Sequence, residues 1–143
     1  MSFHLQIITP LKIIFNDEVN QVILPTPDGE ITILPNHTSL ISQILTGEII
    51  IKKEDTEEFI AIDGGVVKID KNNAAILADY ARHAKDIDEK LAQEAKERAE
   101  KKLKEKLSQE HFVLAQSDLR RAIADLKTVR RRKISLSYNK ENV

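Results

Sequence analysis

An antiparallel β-sandwich carrying a helical arm is the fold this sequence predicts, and three observations predict it. All four glycines and all four prolines fall within residues 1–85, together with most of the β-branched residues. Nine short apolar runs recur in that region between turn signals. The stretch from Asp86 to Lys133 then runs 48 residues with no glycine and no proline, and is built of good helix formers.

The apolar runs are 3–9, 12–15, 18–24, 30–34, 40–45, 48–52, 58–62, 66–69 and 74–78. Phe3, Leu5 and Ile7 alternate with His4 and Gln6, the period of a half-buried strand. Pro10 ends that run because proline has no N–H for a ladder. Pro25-Thr26-Pro27-Asp28-Gly29 forms a turn, and Pro35-Asn36-His37 another, because Asn tolerates the left-handed region. Thr46-Gly47, Gly64-Gly65 and Lys71-Asn72-Asn73 mark three more. With no helix between them, these strands pair antiparallel, since parallel pairs need long crossovers. Ile49-Ile50-Ile51 requires cover on both faces, from this chain or from a partner.

The arm begins at Asp86, an N-cap candidate with Glu89 three residues later. Ile87, Leu91, Ala95, Ala99, Leu103 and Leu107 form one stripe, small in its middle. Phe112, Ala115, Leu119, Ala122, Leu126 and Val129 form a second, spaced 3-4-3-4-3 for packing on another helix. Between them Ser108-Gln109-Glu110-His111 is the expected turn of an antiparallel hairpin, with Ser108 able to cap the second helix. Nothing there forbids helix, so a continuous rod of about 65–70 Å is also allowed. The sequence thus divides into a sandwich at 1–85, a hairpin at 86–133 and a polar, frayed tail at 134–143.

Charge divides the same way. Residues 1–85 hold seven Lys/Arg and twelve Asp/Glu, a net of −5, whereas residues 86–143 hold fifteen and eleven, a net of +4. A basic arm favours acidic partners. Arg130, Arg131, Arg132 and Lys133, with Arg120 and Arg121 upstream, exceed what a helix C-terminus needs to complement its dipole. An acidic body, a pI of 6.4 and few aromatics argue against nucleic acid as the partner.

No enzyme constellation stands out. There is no cysteine, and His4, His37, His83 and His111 have no ligand spacing, so neither a metal nor a Cys nucleophile is expected. There is no P-loop and no nucleophile elbow, and Asp63-Gly64-Gly65 reads as an ordinary turn. No apolar run approaches membrane-span length, and Met1-Ser2-Phe3-His4 does not read as a signal peptide.

In order along the chain, these residues resemble the epsilon subunit of F-type ATP synthases. The family's G-E-x-G-I-L-P-G-H stretch stands here as Gly29-Glu30-Ile31-Thr32-Ile33-Leu34-Pro35-Asn36-His37. Asp63-Gly64-Gly65-Val66, Ile76-Leu77-Ala78-Asp79, Asp86-Ile87-Asp88 and Arg121-Ala122-Ile123-Ala124-Asp125-Leu126 continue the pattern over residues 3–133. The resemblance implies a non-catalytic subunit in the central stalk of a rotary motor. Its partners would be the gamma subunit, the membrane ring of subunit c, and the alpha and beta subunits of the catalytic head. Glu30 and His37 would contact the ring. Arg120, Arg121, Arg130, Arg131, Arg132 and Lys133 would meet an acidic surface of the head when the arm extends, blocking ATP hydrolysis. The implied location is peripheral, on the cytoplasmic side of the cell inner membrane, or on the thylakoid in a plastid or cyanobacterium.

Two departures matter. Thr32 and Asn36 stand where the family often has glycine; Asn36 accepts positive φ, whereas Thr32 does so only at a cost. Many bacterial members bind ATP around I-D-x-x-R-A, and here Leu91 fills the Arg position. Asp88, Arg98 and Arg121 remain as weak ATP-site candidates, with Lys90 turned about 100° away around the helix. Weak or absent ATP binding is expected, with no other cofactor. A stand-alone sandwich and coiled-coil adaptor is the alternative reading, and a basic-arm nucleic-acid binder a third.

Overall fold

The computed structural model describes residues 1–141. Ten strands form two five-stranded sheets: β1 (Phe3–Ile8), β2 (Ile13–Val19), β3 (Gln21–Thr26), β4 (Gly29–Ile33), β5 (Leu40–Ile44), β6 (Gly47–Lys53), β7 (Thr56–Ile62), β8 (Gly65–Asp70), β9 (Asn73–Ala78) and β10 (Ala81–His83). The sheet orders are β2-β1-β9-β8-β5 and β10-β7-β6-β3-β4. One turn of 3-10 helix, Ala84–Asp86, leads into α1 (Glu89–Leu103) and α2 (Gln109–Glu141).

Alternation builds the core. Phe3, Leu5 and Ile7 of β1 point inward, as do Val22 and Leu24 of β3 and Val67 and Ile69 of β8. Val and Ile suit these positions because a branched side chain packs well on a pleated, half-buried surface. Ile49 and Ile51 are fully buried in this core. Ile50 faces the other way and packs with Phe59, Ala84 and Ile23. The second cover for this sheet is the chain's own arm, since α2 lies against β7 and β6.

Several sequence expectations need correction. β1 and β9 pair in parallel, with Leu5 opposite Ala74 and Ile7 opposite Ile76. The crossover between them exists after all, because the intervening strands of the sandwich supply it. β3 runs on to Thr26, and the turn shrinks to Pro27-Asp28, closed by Gly29 at φ 109. Pro25 is tolerated because the β3–β6 ladder ends at Ile23. Thr32 is plain strand within β4, and Asn36 takes the left-handed turn position at φ 62. β10 is a tenth strand, written in three residues without a β-branched side chain.

Asp88, not Asp86, caps α1, its carboxylate accepting the Leu91 N–H at 3.1 Å. The buried stripe of α1 is Ala92 and Ala99, while Leu91 is 60% exposed. Alanines on both helices, with Ala115 and Ala122 on α2, let two backbones approach. Phe112 lies outside this seam and is exposed. The hairpin turn falls at 104–108, ahead of the expected place. Ser108 caps α2 as expected, its Oγ accepting the His111 N–H at 3.3 Å. The frayed tail expected from 134 is corrected as far as Glu141, because α2 continues that far with no breaker residue. Residues 142–143 of that tail lie outside the described residues.

Candidate functional site

Arm and sandwich meet through ion pairs from Arg120 and Arg121 to Asp63 and from Arg131 to Glu30 and Glu48. Ile87 and Ala92 on the arm's first half, Ala124, Leu126 and Val129 on α2, and Ala61 of β7 form a small cluster separate from the sandwich core. It is mostly alanine, so its apolar contribution is modest, on the order of 25 cal/mol per Å² buried.

Asp63 directly follows β7, just before Gly64 (φ 72) and Gly65 turn the chain. Its N–H donates to the Tyr80 carbonyl at 3.1 Å, which sets Asp63 and Tyr80 side by side. The Asp63 side chain is only 6% exposed. Its carboxylate accepts from Thr46 Oγ1 at 2.8 Å, Arg121 Nε at 2.8 Å and Arg120 Nε at 3.5 Å. Burial pushes the carboxyl upward, but the hydrogen bonds from Arg121 and Thr46 and the two arginine charges prevail, holding it below its ordinary 3.8. Gly65 is obligatory beside it: a Cβ there would meet the Leu77 carbonyl oxygen at 2.4 Å.

Tyr80 and Asp125 form the second contact. The phenol donates to Asp125 Oδ1 at 2.9 Å and Oδ2 at 2.8 Å. Arg121 lies 5.1 Å from the ring centroid and Arg82 5.7 Å, cation–π distances for both. Burial raises the Asp125 carboxyl above 3.8, opposed by the Tyr80 hydrogen bond and the Arg82 charge. Burial and the Asp125 charge push the Tyr80 phenol above its usual range.

Further along α2, Arg131 Nε stands 3.3 Å from Glu48 Oε1, and its Nη1 stands 3.9 Å from Glu30 Oε2. Lys133 pairs with Glu89 of α1. Ser135 Oγ donates to Glu57 Oε2 at 2.9 Å. Thus Arg120, Arg121, Arg131 and Lys133 all meet carboxylates of this chain, while Arg130 and Arg132 are exposed, Arg132 at the edge of a cleft that Glu57 and Glu58 also line. Glu30 meets the arm. His37 sits half-buried in the turn beyond β4, its Nδ1 2.7 Å from the Thr38 carbonyl.

A cleft of about 330 Å³ opens between the helices and the sandwich, lined by Tyr80, Arg98, Lys102, Arg121 and Asp125 among others. It brings Arg98 and Arg121 together, whereas Asp88 is engaged in capping α1 and is not among the lining residues. Among the described residues, no group of three or more His, Cys, Asp or Glu is placed to hold a metal ion. No helix of the described residues is long and apolar enough to cross a membrane.

Sequence reasoning missed Asp63, Glu48, Tyr80 and Asp125. The one available signal was Asp125, a carboxylate four residues after Arg121 on the same helix face as Ala122 and Leu126.

Comparison with known proteins places this architecture among others. The family described as ATP synthase, Delta/Epsilon chain, beta-sandwich domain matches residues 2–84, and its long alpha-helix domain matches residues 85–130. An ATP synthase epsilon chain of Nitrosococcus oceani is 36% identical over 132 residues, covering 92% of this chain and 94% of that one. One of Caldicellulosiruptor saccharolyticus is 37% identical over 132 residues, covering 92% and 96%. A chain in the Euglena gracilis mitochondrial ATP synthase, OSCP/F1/c-ring in rotational state 1, shares the fold with a TM-score of 0.73 at 18% identity, covering 86% of this chain and 78% of that one.

Proposed function

The chain belongs to the delta/epsilon-chain family of ATP synthase, and from that premise we propose that it is a non-catalytic central-stalk subunit and a brake on ATP hydrolysis. The sandwich docks on the gamma subunit and, through Glu30 and His37, on the ring of subunit c. The arm has two poses. Folded, its Arg120, Arg121 and Arg131 are matched by the sandwich's own carboxylates. Extended, the same arginines meet an acidic surface of the alpha and beta subunits and stop hydrolysis. The chain sits peripherally at the membrane through the complex.

One observation supports this reading above the rest. Arg120, Arg121 and Arg131 lie on α2, and each meets an acidic side chain of the sandwich. A static hairpin needs no such matching, because solvated arginines cost nothing. An arm that leaves and returns needs a folded pose that competes with its other partner. Deleting residues 87–143 and measuring hydrolysis by the assembled head tests the brake. A rise in ATPase is expected, and no rise removes the braking role while leaving the coupling role intact.

The cleft holding Arg98 and Arg121 is the place for ATP, if ATP binds. Leu91 projects outward where the family has Arg, and Asp125 faces the same cleft, a like charge to phosphate. Affinity is therefore weak or absent, and micromolar binding in a calorimetric titration would refute this.

A further inference from the structure

Asp63 and Tyr80 are adjacent on the sandwich, fixed by the Asp63 N–H to Tyr80 carbonyl bond. Arg121 and Asp125 are one helical turn apart on the arm. The two contacts run in opposite senses. At one, the sandwich supplies the acid and the arm the base; at the other, the arm supplies the acid and the sandwich the donor. Arg121 links the two, bonding Asp63 through Nε while its guanidinium lies over the Tyr80 ring.

This pairing is selective. Sliding α2 by one turn, about 5.4 Å, would bring Asp125 to Asp63, acid against acid. Sliding it the other way would bring Ser117 to Asp63 and strand the nearly buried carboxylate without a cation. The other arm contacts are less demanding. Lys133 and Glu89 are 62% and 42% exposed, and Arg131, itself 41% exposed, faces Glu30 at 58% and Glu48 at 17%, so solvent reaches at least one partner of each pair and screens it more than Asp63. Asp63, at 6% exposure, is the one acid of these pairs that sits almost out of water.

We propose that Asp63 and Tyr80 form the sandwich's receptor for the arm, recognising Arg121 and Asp125 as a unit, and that this four-residue cluster holds the arm folded against salt. The proposal rests on the two-pose reading above and names the contacts that govern its folded pose. Release of the arm costs the cluster all its cross-contacts at once, while Thr46 stays on Asp63. Ionic strength weakens the cluster less than it weakens the exposed pairs, because counter-ions screen the nearly buried Asp63 carboxylate less than carboxylates in open solvent.

The absence of cysteine makes the test direct. Cysteines introduced at exposed Lys68 and Gln116 carry spin labels in the full-length isolated chain, and their separation is followed against salt. Asp63→Asn, Arg121→Gln, the double variant and Tyr80→Phe are compared with the parent, with sandwich thermal unfolding as a check on folding. Each single variant is expected to open at markedly lower salt than the parent. The double is expected to shift by less than the sum of the two single shifts, since the shared Arg121–Asp63 bond is lost only once, whereas the Arg120–Asp63 and Arg121–Tyr80 contacts are each lost to one change alone. Arg121→Gln lies on the arm and leaves the sandwich intact should Asp63→Asn disturb its turn. Additive shifts in the double, or single variants that open with the parent, overturn the proposal. No ATPase is measured, so failure here is distinguishable from failure of the braking role.

Discussion

Leu126→Ala is the perturbation that best separates arm from sandwich. Leu126 is 4% exposed and belongs to the small cluster beneath the arm, apart from the sandwich core. Burying a Leu→Ala cavity typically costs 2–5 kcal/mol, and the alanine-rich surroundings collapse readily, which favours the lower end. About 2–3 kcal/mol is expected, all of it charged to docking. At about 1.4 kcal/mol per decade, the open population rises roughly 30- to 150-fold. Native-state hydrogen exchange measures this directly. Amides of α2 near Leu126 should lose that much protection, while amides of β1 and β9 keep theirs. Equal losses in both places would refute the reasoning, because they would make arm and sandwich one cooperative unit.

Other outcomes test other joints. Gly65→Ala should destabilise the sandwich by about 2–4 kcal/mol in urea titration, because both the Leu77 oxygen and the Ala78 Cα that its Cβ would meet are backbone. Ser108→Ala should cost about 1 kcal/mol of helix stability and raise exchange at His111 and Phe112, whose N–H groups bond Ser108. Arm docking should pass through a maximum with pH. Asp63 is held below 3.8, so its contribution is complete above 3.8 and is lost as pH falls through the lowered value. Asp125 is raised above 3.8, so the docked chain protonates first and docking strengthens as pH falls through that raised value. A label distance followed from neutral pH downward should therefore show tightening and then release, and a monotonic opening would contradict this.

How much of this was legible depends on the range of each interaction. The strands were readable because alternation such as Phe3-Leu5-Ile7 is local and survives in the burial pattern. The arm was readable because a long stretch without glycine or proline has few alternatives to helix. Its buried face was legible at Ile87, Ala99, Ala122 and Leu126 but misread at Leu91, because the seam is built of alanines, where size does not mark the interior: Leu91 is exposed and Ala92 buried. The cap was misplaced because Asp86 and Asp88 both fit the first turn, and only tertiary packing of Ile87 chose Asp88. The parallel pairing of β1 with β9 depends on contacts across some seventy residues of chain. Asp63 and Arg121 are 58 residues apart, and Tyr80 and Asp125 are 45 apart. No local pattern announces such pairs. The basic arm and acidic body were visible from charge alone, but not that each would be the other's partner.

The decisive measurement is the separation between a label on the sandwich and one on α2, taken within the assembled motor while it synthesises and while it hydrolyses ATP. Two populated distances are expected, the short one matching contact between Arg121 and Asp63 and the long one prevailing when hydrolysis is blocked. A single short distance under every condition would contradict the two-pose arm and leave the hairpin a static part of the stalk.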